Sequence, residues 1–418
     1  MPDARSGEPS ASPVDASPVH GAARADASAL TELRAGGLTV FCAALGSGLG
    51  IAGLLTYNSG LFVNALGQEI GLSRTAYGAV FFGATLAMCF AMPLVALLLD
   101  RYGPRLTAVF GAVSLAAGFA LLSFVHSVAG YAGAMLFTGL FAASSSPIAH
   151  TRAVVAKFRC ARGFALGLTQ LGIGLAAALI PPFISALLAR EGWRAALLAL
   201  SALALAGILP ALGLPRRTVV RSRDRDDPAP AFRELWVLRL FWIQLAAFAS
   251  MALAFAGMLA HFVPMLVQGG LSIAGAGALA GLIGVSVIAT RVLIGWLSDR
   301  MNPAWLAMAS CAVCAAGCIA LALGGTGMAV VGALALGAAI GAEADLIAIL
   351  TARNFSLAIY GRAYSTQYAA FSIAAGISPL WTGYVADLTG SYRLPLLLCA
   401  VLLALPIALF GMLLRREQ

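Results

Sequence analysis

The sequence predicts an all-α membrane protein, with twelve transmembrane helices arranged as two pseudo-symmetric six-helix bundles. Three observations support this prediction: an apolar composition, long segments without charge, and a repeat between the two halves of the chain. Of the 418 residues, 61% are hydrophobic and 10% are charged, whereas about 25% of the residues of a soluble domain are charged. The net charge of +9 is spread over short basic clusters between apolar blocks. This pattern argues against a water-soluble enzyme, a nucleic-acid-binding protein and a disordered chain.

Charge-free segments determine the number of predicted helices. Residues 106–151 and 304–342 contain no Asp, Glu, Lys or Arg, and Arg291 is the one charged residue within 240–298. Because a spanning helix needs about 20 apolar residues, each of these segments is long enough for two passes. The apolar runs are continuous rather than alternating, so they favour helices over a β-barrel. The predicted helices cover residues 38–57, 76–99, 105–126, 128–152, 163–188, 194–214, 240–266, 273–298, 304–323, 327–352, 363–386 and 392–414.

Polar segments divide the chain into its predicted parts. Residues 1–37 are rich in Pro, Ala and Ser, which predicts a disordered cytoplasmic tail. They lack the basic start and apolar core of a signal peptide. An N-terminal six-helix bundle at 38–214 and a C-terminal one at 240–414 are joined by a predicted cytoplasmic central loop at 215–239, and 415–418 form a second cytoplasmic tail. Arg residues are concentrated on the side of the termini and central loop, so the positive-inside rule places both termini in the cytoplasm.

The two predicted bundles share sequence landmarks at a nearly constant offset. Asp100-Arg101 recurs as Asp299-Arg300, and Pro181 recurs as Pro379. Repeats of this kind are typical of secondary transporters, whose substrate site lies near the membrane midplane between the halves.

Twelve helices in two halves joined by a basic loop resemble the major facilitator superfamily. The segment LLLDRYGPR, Leu97 to Arg105, is similar to the gating motif that this superfamily carries between helices 2 and 3, although Pro104 replaces a basic residue. Its Gly-Pro-Arg variant is similar to monocarboxylate and oxalate/formate-type members, as are GLSRT, Gly71 to Thr75, and ATRVLIGWLSDR, Ala289 to Arg300.

The resemblance covers residues 38–414 and implies a transporter rather than an enzyme. The implied function is movement of a small organic anion, a monocarboxylate, by alternating access and together with protons. Arg291 of helix 8 is implied to hold the substrate carboxylate. The acidic residue that mammalian-type members carry one turn earlier is absent, because Val287 stands there.

Ionisable residues deep in the membrane are candidates for function, because burying a charge in lipid is costly. Arg291 lies eight residues before Asp299, which places it roughly 12 Å inside the membrane, and Glu343 and Asp345 are similarly deep. Residues two apart on a helix point in different directions, so at most one of the two acids faces Arg291. We expect one acid to couple proton movement; the alternative is an ion pair that only locks two helices.

Two further sets of residues are predicted to bind substrate or to gate the cavity. For most of the substrate-binding candidates, the alternative role is hydrogen bonding in helix packing. For the gating candidates, the alternative is a solvated turn. The additional substrate-binding candidates are Tyr57, Asn58, His261, Tyr364 and Gln367. The gating candidates, at cytoplasmic helix ends where an Asp can pair with an Arg or with helix N-terminal N–H groups, are Asp100, Arg101, Arg105, Asp299 and Arg300.

An alternative function is proton-driven efflux of a hydrophobic drug or metabolite. Arg291 at mid-depth favours the organic anion, since an exporter of cations would need acids without a paired Arg. The sequence contains no phosphate-binding loop, so ATP hydrolysis does not drive the protein. Cys311, Cys314 and Cys318 lie on one helix face without His partners, which favours packing over zinc; we expect no metal and no cofactor.

The expected partners are a small organic anion, protons and the lipid bilayer, with no nucleic acid, and the protein is expected to be monomeric. Of 26 basic residues, Lys157 is the one lysine. This bias, together with abundant Ala and Gly, is typical of GC-rich bacterial genomes. The expected location is therefore the bacterial inner membrane.

Overall fold

A computed structural model describes residues 18–158, 162–216, 233–298, 300–355 and 357–417. These residues are helical almost throughout and form twelve passes, which we number α1 to α12. They are α1 (Pro18–Gly48), α2 and α3 (the two parts of Arg74–Ser123), α4 (Val128–Phe141 and Pro147–Lys157), α5 and α6 (the two parts of Arg162–Ala206, with Ile208–Leu212), α7 (Arg239–Gln268), α8 (Ile273–Ser298), α9 (Pro303–Gly324), α10 (Ala329–Asn354), α11 (Leu357–Thr389) and α12 (Arg393–Leu402 and Ala404–Glu417).

Glycines in the left-handed region separate passes that follow each other without a loop. Gly103 has φ 78° and ψ 174°, and Gly192 has φ 85° and ψ 173°. A residue with a Cβ adopts this conformation at a steric cost that glycine avoids. The chain therefore turns at these positions, so Gly103 of the predicted gating motif divides α2 from α3. Eight apolar stretches of the described chain are long enough to cross a membrane, three of them contain two passes, and α1 completes the twelve.

The first helix begins earlier than predicted. We expected residues 1–37 to be disordered, but α1 starts at Pro18, so that expectation is wrong for residues 18–37. Leu33 packs beside an apolar cluster that contains Phe158, and Gly36 lies against the Phe158 ring. Docking on α4 and a run of good helix formers after His20 together outweigh the polar composition. Residues 1–17, and 217–232 of the predicted central loop, lie outside the described chain.

The twelve passes form two halves, α1–α6 and α7–α12, that meet through two helix pairs. These pairs are α2 with α11 and α5 with α8. Since the number of passes is even, both termini lie at the same end of the bundle, which we call the termini side; the opposite end is the far side.

Candidate functional site

Glycines bring the two halves into close contact in the far-side part of the bundle. A Cβ at Gly78 of α2 would overlap the backbone of α11 at Leu380, and one at Gly284 of α8 would overlap the backbone of α5 at Ala178. Nearer mid-depth the halves still touch, where Gly376 faces Phe82 and Gly174 faces Ile288. These contacts close the far side. Nearer the termini side, a Cβ at Gly167 of α5 or at Gly295 of α8 would meet nothing within 4 Å, and we interpret the space between the halves as open toward that side.

An ion pair lies one turn beneath this closed region. Arg291 of α8 follows Ile288 by three residues, and its Nη1 donates to Oδ1 of Asp345 on α10 at 3.3 Å. The Arg291 side chain is 15% exposed and the Asp345 side chain 34% exposed, so both reach the cavity surface. The structure therefore brings together the cation and one of the two acids that the sequence singled out, and the partner is Asp345.

Two buried polar atoms at or near this ion pair lack hydrogen-bond partners. Nε of Arg291 and Oε2 of Glu343 are buried, and neither has a hydrogen-bond partner within the described chain. The charges of Arg291 and Glu343 interact electrostatically. Since a buried polar atom without a partner costs about 1–3 kcal/mol, both atoms are available to a ligand or to water.

Two tyrosines from opposite halves border the same charges. Tyr57, which follows α1, interacts electrostatically with Arg291 and Glu343. Tyr368 of α11 interacts with the same two charges and is 45% exposed. Tyr57 was predicted from the sequence. Tyr368, one turn after the predicted substrate-binding residue Tyr364, is also among the polar residues that the sequence places in a cavity helix.

Three predicted substrate-binding residues are instead held in packed networks. Asn58 Nδ2 donates to the Leu54 carbonyl at 2.9 Å, at the end of the short helix Ile51–Leu54 that follows α1. His261 lies between the Tyr392 hydroxyl at 3.1 Å and the Pro379 carbonyl at 3.0 Å. A carbonyl can only accept, so Nε2 carries the proton and Nδ1 accepts from the tyrosine.

Gln367 is the third of these residues and has no exposed surface. Its Oε1 accepts from Gln244 at 3.0 Å and from Thr351 at 3.1 Å, which ties α11 to α7 and α10. Tyr364, the remaining candidate, stacks on Tyr368 with ring centroids 5.9 Å apart. In this structure Asn58, His261 and Gln367 therefore do not face the cavity, whereas Tyr364 extends the aromatic surface at Tyr368.

Each described gating candidate at the termini side contacts a residue of its own half. Asp100 accepts from Arg152 of α4 at 2.6 Å, a pair within the first half. The guanidinium of Arg101 lies over the Tyr102 ring, Nε of Arg105 donates to the Leu214 carbonyl, and Nη1 of Arg300 donates to the Trp296 carbonyl. Asp299 lies outside the described residues.

A polar cluster that sequence reasoning missed joins the halves at the far side. The backbone N–H and the hydroxyl of Thr75, at the start of α2, both donate to Oδ2 of Asp387 on α11 at 2.7 Å. Arg74 lies 3.9 Å from Asp387 and donates to the Ala386 carbonyl at 3.2 Å. We call Arg74, Thr75 and Asp387 the far-side latch; it borders a cleft of about 420 Å³. The partners are 312 residues apart, so spacing could not reveal the pairing.

A second far-side contact stabilises the first half. Glu69, in the short helix Val63–Ile70, accepts from Trp193 Nε1 at 2.6 Å and pairs with Arg194. The hydrogen bond from Trp193, followed by that from Arg194, lowers the pKa of Glu69. The loop after α1 is thereby fixed to the start of α6.

A family model described as Major Facilitator Superfamily matches residues 37–358 and 270–418. The chain belongs to the Major Facilitator Superfamily. This superfamily member is 29% identical to monocarboxylate transporter 11 of Homo sapiens over 219 residues, which is 50% of this chain and 45% of that protein. It is 27% identical to the oxalate:formate antiporter of Oxalobacter formigenes over 262 residues, 59% of this chain and 60% of the other. It is 28% identical to a gallate transporter of Pseudomonas putida over 322 residues, 66% and 67% of the two chains.

Solved structures show the same fold. The nucleoside transporter NupG superimposes with a TM-score of 0.76 at 13% identity and covers 90% of this chain and 98% of its own. A bacterial homologue of the human lysosomal transporter Spinster, in an inward-facing and occupied conformation, gives 0.72 at 16% identity, covering 90% and 96%. The family and its relatives make this superfamily member a multi-pass transporter and not an enzyme.

Proposed function

We propose that the protein is a secondary transporter of a small organic anion, a monocarboxylate, which it moves by alternating access together with protons. The observation that supports this most directly is Arg291, a cation beneath the closed region whose Nε has no partner in the described chain and whose Nη1 donates to Asp345. A guanidinium presents two parallel donors to a carboxylate. The relatives named for monocarboxylates, for oxalate and formate, and for gallate all act on carboxylates.

Proton coupling follows from competition for this one cation. In the empty cavity Asp345 supplies the counter-charge that Arg291 needs, because an unpaired buried charge costs several kcal/mol. An arriving carboxylate competes for Arg291, and the displaced acid then gains a proton. Substrate and proton would thus move in the same direction.

The proposed orientation is that the termini side faces the cytoplasm of a bacterial cell. It rests on the concentration of Arg at that side of the chain. In this orientation the structure is closed outward and open inward, and its Asp100–Arg152 pair lies at the inner surface. Asp100, Arg101, Arg105 and Arg300 remain our candidates for inner gating, along with Asp299.

The direct experiment is uptake into proteoliposomes of the purified protein, with labelled acetate, pyruvate, benzoate and oxalate and an imposed pH gradient. We expect Arg291→Lys to weaken apparent carboxylate affinity about tenfold or more, because Lys keeps the charge but cannot form the two parallel hydrogen bonds. Arg194→Lys is the matched control, since Arg194 pairs with Glu69 at the far side. Carboxylate affinity unchanged in Arg291→Lys would contradict the proposed site, and transport of hydrophobic cations instead would favour efflux.

A further inference from the structure

We infer that the carboxylate transported by this protein carries an aromatic ring, and that Tyr368 of α11 binds that ring while Arg291 binds the carboxylate. This inference rests on the proposed function, and it adds the chemical class of the substrate.

Three aromatic rings form a continuous stripe on one face of α11. Tyr364 and Tyr368 are 5.9 Å apart with an interplanar angle of 18°, and Tyr368 and Phe371 are 6.0 Å apart at 25°. Their spacing of four and three residues places all three on the same helix face. The three rings are nearly parallel, and 45% of the surface of the middle one, Tyr368, is exposed.

The middle ring of the stripe faces the cavity rather than lipid. Tyr368 is within electrostatic range of Arg291 and Glu343 in its own half and of Cys89 on α2 in the other half. It nevertheless keeps 45% of its surface exposed, whereas Phe371 is 7% exposed. A large ring that lies close to the Arg291 and Glu343 charges and remains partly uncovered is a surface available to a ligand.

The cavity shape adds a second argument. α2 and α11 are in contact at Gly376, which faces Phe82 and Thr85, and Tyr368 lies two turns nearer the termini side. Arg291 lies similarly beneath the α5–α8 contact at Ile288. The cation and the aromatic surface therefore border the same space on opposite interfaces, so one molecule with an acidic end and a flat end can occupy both.

Aromatic pairs prefer offset stacking and gain free energy beyond their buried area. A planar aromatic ring stacked on Tyr368 would gain this additional free energy. A puckered saturated ring of similar size would gain only the free energy of burying apolar surface. The site should therefore prefer benzoate to cyclohexanecarboxylate by about two- to tenfold.

The test measures uptake of radiolabelled benzoate and of acetate into proteoliposomes, and inhibition of benzoate uptake by unlabelled benzoate and cyclohexanecarboxylate. We expect wild type to favour benzoate, Tyr368→Leu to lose the preference, and Tyr368→Phe to retain it because the ring rather than the hydroxyl makes the contact. Tyr384→Leu is the matched control, an exposed tyrosine of α11 that lies about 24 Å further along the helix. It should retain the wild-type preference.

Each outcome decides the inference. Equal inhibition by the two acids in wild type, or an unchanged preference in Tyr368→Leu, would overturn the aromatic assignment. If acetate uptake in those cases still depends on Arg291, the proposed function stands and only the aromatic assignment is lost. Absence of uptake of either carboxylate by wild type would remove the proposed function and the inference together.

Discussion

At the scale of single residues, Arg291 and Asp345 show what chain position alone can predict. Both were singled out because charge inside an apolar block is costly, and depth was read from their distance to the helix ends. In the structure, Nη1 of Arg291 lies 3.3 Å from Oδ1 of Asp345. Sequence could not choose between Glu343 and Asp345, because that choice depends on how α10 is rotated against α8.

Neutralising the acid of this pair should separate proton movement from anion movement. We expect Asp345→Asn to exchange labelled for unlabelled carboxylate, since Arg291 remains, but to lose accumulation driven by a pH gradient. The measurement compares uptake with and without an imposed gradient, in parallel with Glu343→Gln. Gradient-driven accumulation that persists at the wild-type level in both variants would remove the coupling proposal.

His261 and Gln367 show what residue-level prediction could not distinguish. Both are polar residues within apolar helices, which is equally expected of substrate ligands and of hydrogen bonds between helices. His261 is satisfied by Tyr392 and Pro379. The Oε1 atom of Gln367 accepts from Gln244 and Thr351, whereas its Nε2 has no partner within the described chain. These partners come from other helices, so only the packed arrangement distinguishes the two roles.

At the scale of helices, continuous apolar runs and charge gaps predicted the passes well because lipid tolerates few alternatives to a helix. The turns at Gly103 and Gly192 coincide with the predicted boundaries between helices. The early start of α1 was not predicted, because its stabilisation comes from contact with Phe158, which directly follows α4 and is more than one hundred residues away.

The far-side latch should control which end of the bundle opens. Asp387 accepts two hydrogen bonds from Thr75 across the halves, and hydrogen bonds to charged groups contribute about 1.5–3 kcal/mol before allowance for exposure. We therefore expect Asp387→Asn to raise the population that is open at the far side by about fivefold or more. Ser59 is 6% exposed, and its hydroxyl accepts a hydrogen bond from Tyr77, two residues after Thr75 of the latch. Labelling of Ser59→Cys by an impermeant maleimide reports this change.

The control for that experiment is Asp100→Asn in the same Ser59→Cys background. Asp100 pairs with Arg152 at the termini side, so its loss should not increase far-side labelling. Equal labelling in the Asp387→Asn and parent proteins would show that the latch does not hold the closed state.

At the scale of the whole molecule, the repeat predicted two halves with a site between them, and the family match confirms the fold. What the repeat could not predict is the conformation, since both halves pack equally well internally whichever end is open. Closure at the far side depends on contacts between halves, such as Gly78 with Leu380.

Cysteine labelling tests the proposed orientation of the protein in the membrane. We expect Ser127→Cys, at the far-side start of α4, to react with an impermeant maleimide added to intact cells, and Ser222→Cys in the central loop to remain unlabelled until the cells are opened. Ready labelling of Ser222→Cys in intact cells would reverse the proposed orientation.

The exposure of the far-side latch has a consequence for how the transporter responds to its surroundings. Side chains of Arg74 and Asp387 are 23% and 29% exposed, so dissolved ions reach the charges. At physiological ionic strength charges are screened over about 8 Å, and more concentrated salt shortens this range. Salt on the far side therefore weakens that closure directly, while the Asp100–Arg152 pair is affected by salt on the opposite side. A difference in ionic strength across the membrane would thus bias the conformational equilibrium even without substrate.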